Sequence, residues 1–141
     1  MDQKEKQDIR NLSRSDLKEF FTAQGEKSFR ADQVYDWLWK KDVGTFAEMT
    51  NLSQQLREFL DEHFYINKLV VADKQISSDK TIKSAFKLID GKVVEGVLIP
   101  TSKRMTACIS SQVGCSLSCK FCATGRLKRM RNLEPAEIYD Q

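Results

Sequence analysis

Apolar residues in the first half of the chain recur at three- and four-residue spacing, the repeat of an amphipathic helix. Ser13, with Asp16 three positions on, reads as a capping-box start. Leu17, Phe20 and Phe21 then share one helical face, and Gly25 ends the run. A second helix is expected from Phe29 to Lys41, with Val34, Trp37 and Leu38 inward and Gly44 as its breaker. A third starts near Asn51 or Ser53 and buries Leu52, Leu56, Phe59 and Leu60. Residues 1–64 therefore read as a small helical domain. His63, alone at its end, reads as a surface or capping histidine.

Beyond Phe64 the pattern turns to alternation. Leu69 to Val71 is a short β-prone run, and Ser77-Ser78-Asp79 is a turn. Two alternating runs, Thr81–Ile89 and Lys92–Pro100, flank Asp90-Gly91, the signature of a two-residue hairpin loop. That loop predicts Ile89 opposite Lys92, Leu88 opposite Val93, Phe86 opposite Glu95 and Ile82 opposite Ile99. Ile82, Ser84, Phe86, Leu88, Val93, Glu95, Val97 and Ile99 would then share one face. Glu95 is the only charge on it. Desolvation there would raise its pKa and make it a candidate general acid or base. An edge-strand carboxylate reaching water, or one paired with an arginine, has the same pattern. A further strand is expected from Arg104 to Ser111, with Thr106, Cys108 and Ser110 on one small, polar face. A central parallel strand with one face lining a cavity would look so. A buried, inert cysteine is the alternative.

Gly114 then introduces Cys115-Ser116-Leu117-Ser118-Cys119-Lys120-Phe121-Cys122, three cysteines at C-x3-C-x2-C spacing. Three thiolates this close can share one metal centre and leave it a ligand short, as a site built for chemistry requires. The same spacing would mark one face of a cysteine-lined helix, although Ser116 and Ser118 suit a helix interior poorly. A zinc site using all four thiols, Cys108 included, is the other alternative. After the loop come Arg126, Lys128, Arg129 and Arg131, then a helix start at Asn132 to Pro135, with proline suited to the first turn. The helix from Ala136 runs into the C-terminus without a cap, and the chain reads as part of a longer protein.

Composition adds three bounds. A chain of 141 residues, 40% hydrophobic and 30% charged, suits a globular protein of one domain, or one small domain and part of another. No apolar run approaches the ~20 residues of a membrane-spanning helix. The polar N-terminus has no signal-peptide core, which predicts a cytoplasmic protein whose cysteines bind metal or do chemistry. Net charge is uneven. Residues 1–64 hold 10 basic and 13 acidic side chains, the remainder 13 and 7, so the half with the cysteines is the basic one. That permits a nucleic-acid partner.

The C-x3-C-x2-C loop, with aromatic Phe121 before its last cysteine, resembles the cluster loop of the radical S-adenosylmethionine (SAM) superfamily. Three flanking stretches narrow the resemblance to the RlmN family: Val94-Glu95-Gly96-Val97-Leu98-Ile99-Pro100, Cys108-Ile109-Ser110-Ser111-Gln112-Val113-Gly114-Cys115, and Arg131-Asn132-Leu133. The helical segment Ser28 to Leu38 is similar to that family's N-terminal accessory domain. The resemblance implies an α+β chain in three parts: an RNA-binding type of helical domain (1–64), a β-hairpin extension (65–103), and the start of a radical SAM partial (β/α) barrel (104–141). It implies a methyltransferase that modifies C2 of adenine in 23S rRNA and tRNA, acting through a methyl-cysteine and a covalent RNA adduct. It implies a [4Fe–4S] cluster held by Cys115, Cys119 and Cys122, SAM packed near Phe121, and an electron donor such as flavodoxin. A monomer without membrane attachment is expected. Glu95 matches the proton acceptor. Cys108 matches the cysteine that resolves the adduct by a disulfide with the methyl-carrying cysteine. Arg126, Lys128, Arg129 and Arg131 are the candidate RNA contacts. A related adenine-C8 rRNA methyltransferase shares the loop, and a zinc-stabilised RNA-binding module without catalysis remains the alternative from another class. This chain by itself is expected to be inactive.

Overall fold

Three helices, two of them capped by serine side chains, and a short strand pair build the first of two compact units in the computed structural model, which describes residues 6–141. The polar residues 1–5 lie outside the described residues. Helix α1 (Arg14–Ala23) begins with the expected reciprocal cap: Ser13 Oγ accepts the Asp16 N–H, and Asp16 accepts the Ser13 N–H. It ends in a Schellman arrangement, Glu26 N–H to Phe21 O and Gly25 N–H to Thr22 O. Helix α2 (Phe29–Trp39) stops two residues short of the expected Lys41, and α3 (Gln54–His63) is capped by Ser53 Oγ. Their inward faces meet in one core of Leu17, Phe21, Ala31, Val34, Leu38, Leu56 and Leu60, joined by Met49 and Leu52. His63 half-buries against Phe59, its Nδ1 lying 2.8 Å from the Phe59 carbonyl.

The ends of this unit meet in a parallel pair that periodicity did not announce, β1 (Gln7–Asp8) with β2 (Phe64–Tyr65). Asp8 Oδ1 accepts the Arg10 and Asn67 N–H groups, and the buried Arg10 donates to the Asn67 carbonyl. Two-residue strands carry no hydrophobic period, so only the tertiary structure reveals them.

The second unit begins at Lys68. Its sheet has the order β3 (Val70–Ile76), β4 (Ile82–Lys87), β5 (Val93–Pro100), β6 (Met105–Cys108), antiparallel throughout. Two expectations are corrected here. Cys108 ends an antiparallel edge strand and not a central parallel one. The hairpin is also shifted by one residue: Phe86 pairs with Val94, Ala85 with Glu95 and Ile82 with Leu98. The loop holds three residues, Ile89-Asp90-Gly91. Leu88 closes it by accepting the Gly91 N–H at 3.0 Å and donating to Lys92 O at 2.8 Å. Gly91, at φ 80°, supplies the left-handed residue of a type I turn with a G1 bulge. An Asp-Gly pair serves that loop as well as the two-residue one.

A one-residue slip exchanges the faces of β5 relative to β4. Val94 joins Phe86 and Leu88 in the buried cluster, with Val113 and Leu133. Glu95 moves to the opposite, exposed face.

Past β6 the chain forms a second small ladder, β7 (Gln112–Val113) with β8 (Arg131–Asn132), then α4 (Pro135–Tyr139). Glu134 caps α4 through a reciprocal bond with Glu137, and Ile138 packs on the sheet cluster. The two residues after α4 face back. Asp140 accepts the Leu69 N–H, and the Gln141 side-chain amide bonds both the N–H and the C=O of Ser110, each at 2.8 Å. No helix of the described residues is long and apolar enough to cross a membrane.

Candidate metal centre and the sheet face beside it

The cysteines lie on an excursion that leaves the sheet unit after Val113 and returns at Met130. Its ends are tied by Met130 N–H to Val113 O (2.9 Å) and Cys115 N–H to Leu127 O (3.1 Å). Two glycines let the backbone fold this tightly. Gly114 takes φ 73°, and a Cβ there would collide with the Lys128 carbonyl. A Cβ on Gly125 would stand 2.9 Å from Cys119 O and 3.0 Å from Leu117 O, closer than real side chains come. Inside the loop, Cys122 N–H bonds Cys119 O at 3.2 Å, so the last two cysteines sit on one turn. Backbone N–H groups of Gly125, then Thr124, point at the Cys122 sulfur and hold its pKa below the ordinary thiol value.

All four cysteines are free thiols. Among the described residues, no group of three or more His, Cys, Asp or Glu side chains is arranged to hold a metal ion. The donor chemistry nevertheless fits an iron–sulfur cluster: three half-buried thiols on one short loop, one of them receiving N–H bonds that favour the thiolate. Cys108 belongs to a different element. It lies on β6 opposite Val97, exposed, beside a cavity of about 260 Å³ that Ser84, Phe86, Gly96 and Gln141 also line.

Glu95 is more than half exposed, with Lys83 Nζ 2.9 Å away. The expected place on the apolar face is therefore not met, and the shifted register is the reason. Ser110 Oγ donates to the Glu95 carbonyl at 2.8 Å, which ties β5 to the segment after β6. Phe121 is 94% exposed, and Leu117, Leu127 and Met130 stand out from the same loop. Arg126, Lys128 and Arg129 are exposed around them.

Arg131 differs from these three in being held by carboxylates of this chain. Its guanidinium donates to Glu137 Oε2 (2.7 Å) and Oε1 (2.9 Å) and to Asp90 Oδ2 (2.9 Å). Glu137 is buried. Its hydrogen bonds from Arg131 pull its pKa below the usual carboxylate range, and Arg131 with Lys92 does the same to Asp90. Asp90 was legible only as a turn residue. The Glu134-x-x-Glu137 spacing was the one available sign that Glu137 turns inward.

Residues 7–66 match the model of the ribosomal RNA large subunit methyltransferase N-terminal domain of RlmN. The chain is 62% identical over 133 residues to a probable dual-specificity RNA methyltransferase RlmN of Cytophaga hutchinsonii, covering 94% of this chain and 36% of that protein. The chain belongs to the RlmN family. The RlmN relative of Flavobacterium johnsoniae is 59% identical across 97% of the chain, which spans 39% of it. RlmN resemblance thus extends through the helical unit, the sheet and the cysteine loop, while the chain spans about two fifths of the length of these curated relatives. A solved structure, a radical SAM methyltransferase from Sphaerobacter thermophilus, superposes with a TM-score of 0.79 at 33% identity, over 94% of this chain and 39% of that one. The mixed helix-and-sheet fold is therefore one that a radical SAM methyltransferase contains.

Proposed function

We propose that this chain is part of a radical SAM RNA methyltransferase that methylates C2 of adenine in 23S rRNA and tRNA. The observation that carries the reading is the cysteine loop: three thiols between two obligatory glycines, in a chain that matches RlmN relatives almost from end to end. On this reading Cys115, Cys119 and Cys122 hold a [4Fe–4S] cluster, and residues from 104 onward begin a partial (β/α) barrel. The chemistry the cluster supplies when bound is one-electron reductive cleavage of SAM.

The chain's own residues have distinct tasks. Phe121, on the turn that carries Cys119 and Cys122, offers an aromatic face to a nucleoside. Adenine C2 is an electron-poor amidine carbon that carries one hydrogen, so once the new carbon–carbon bond forms that hydrogen must leave as a proton. Glu95 is the group that takes this proton. The Cys108 thiolate attacks the sulfur of the methyl-carrying cysteine; that sulfur's bond to the RNA-linked carbon breaks, the electron pair stays with the carbon, and the RNA is released as the disulfide forms. Exposure of both side chains supports these tasks, since the substrate is a macromolecule that must reach them. Arg126, Lys128 and Arg129 supply positive charge for RNA phosphates around the loop. The placement of Cys108 on the sheet, on a different element from the loop, weighs against a zinc site of four thiols.

Anaerobic reconstitution of the chain with iron and sulfide tests the reading. A brown, three-thiol cluster whose spectrum responds to added SAM is expected. Tight, colourless binding of one zinc ion by all four thiols would overturn it.

A further inference from the structure

The excursion that carries the cysteines joins the sheet unit through two residue pairs, Val113 with Arg131 and Gln112 with Asn132. A ladder that short does not hold itself. Two things support it. Val113 and Leu133 are buried beside Phe86, Leu88 and Val94. Arg131 reaches outward from β8 to two other elements, the β4–β5 turn through Asp90 and α4 through Glu137.

The Arg131 contacts are demanding. The guanidinium grips both carboxylate oxygens of Glu137 in a fork and keeps Nε for Asp90, an arrangement that a lysine ammonium cannot copy. Nη1 also donates to the Asn132 carbonyl at 3.1 Å. Glu137 Oε2 accepts the Glu134 N–H as well, so α4 is capped by the same carboxylate that Arg131 holds. Glu137 is 2% exposed, and a charge so buried is costly to leave without its partner. A guanidinium committed in this way is not free to follow a phosphate.

We infer that Arg131 is a positioning residue: by holding the hairpin turn and α4 at once, it fixes the mouth of the cysteine loop and with it the placement of Cys115, Cys119 and Cys122. What the loop binds rests on the function proposed above; the clamp itself does not.

Hydrogen exchange of this chain, without metal, tests the clamp. The Cys115 and Met130 amides bond across the mouth and report on it directly. Arg131→Gln should raise their exchange by at least about tenfold, while the amides of α1 to α3 and of β4 and β5 keep wild-type rates. Arg131→Lys keeps the charge but loses the fork, and should leave the mouth amides fast. After anaerobic loading with iron and sulfide, the reduced cluster of Arg131→Lys should give a broadened electron paramagnetic resonance signal, which a general loss of stability would not produce. Unchanged exchange at Cys115 and Met130 overturns the inference, as does an increase spread evenly over β3 to β6. If Arg131→Gln does not fold, Asp90→Asn carries the same measurement, because it releases the turn and leaves the Arg131–Glu137 fork intact. Raised mouth exchange in the variants with no cluster uptake by the wild-type chain would sink the cluster reading and leave the clamp standing.

Discussion

Glu95 and Cys108 lie on the same face of the sheet, on adjacent strands, with Cys108 directly opposite Val97, two residues along from Glu95. That makes them diagonal neighbours. In the full-length enzyme, Glu95→Gln should leave cysteine methylation intact but stop release of methylated RNA. Mass analysis of the protein and of the RNA reads the two steps separately. Normal turnover by this variant would remove Glu95 from the mechanism.

Cys108→Ala should leave protein covalently attached to RNA, visible as a band that nuclease collapses. The neighbouring sheet face is exposed, so loss of one thiol there should change folding stability by no more than ~0.5 kcal/mol. Freely released, fully methylated RNA would exclude the role.

Gly125→Ala places a methyl group against the Cys119 and Leu117 backbone, which cannot yield as a flexible side chain can. Iron uptake on anaerobic reconstitution should fall severely, while the helical unit keeps its circular-dichroism signal and its melting transition. Wild-type iron content in this variant would show that the loop binds metal in some other conformation.

Acid should loosen the second unit through the Arg131 network. Asp90 and Glu137 both have pKa values lowered in the folded state from ordinary values of 3.8 and 4.5. Their contribution is therefore complete above those ordinary values and is lost as pH falls through the depressed folded ones. Asp90→Asn should be less stable than wild type at pH 7, and the gap should close in strong acid. Urea unfolding followed across pH measures it. A constant gap at every pH would mean the network is not the cause.

Ser13→Ala should cost the helical unit about 0.5–2 kcal/mol, because it removes the Oγ that accepts the Asp16 N–H, while the Ser13 N–H still reaches the Asp16 carboxylate. Leu60→Ala, at a fully buried position between helices, should cost about 2–5 kcal/mol. Thermal unfolding distinguishes a cap from a core residue by the size of the two losses.

The helical unit was legible because its signals are local. Ser13 and Ser53 cap within three residues, and Leu17, Leu56 and Leu60 repeat at helical spacing. The hairpin was legible in kind but not in register. Asp90-Gly91 fits both a two- and a three-residue loop, and only packing against Val113 and Leu133 distinguishes them. That single choice misplaced Glu95. The cysteine loop was visible in its spacing. The role of Arg131 was not, since in a run of basic residues nothing marks the one whose partners lie 41 positions back and six ahead.

The narrow mouth of the loop also bears on how such a segment can evolve. Everything between Val113 and Met130 enters and leaves through one fixed gap, so the sheet does not register what lies inside. Once the ends are fixed, doubling a loop's length costs only about 0.6 kcal/mol in closure entropy. Length added inside the gap would therefore burden the sheet little, while Gly114, Gly125 and the three thiols they bracket keep their own backbone constraints.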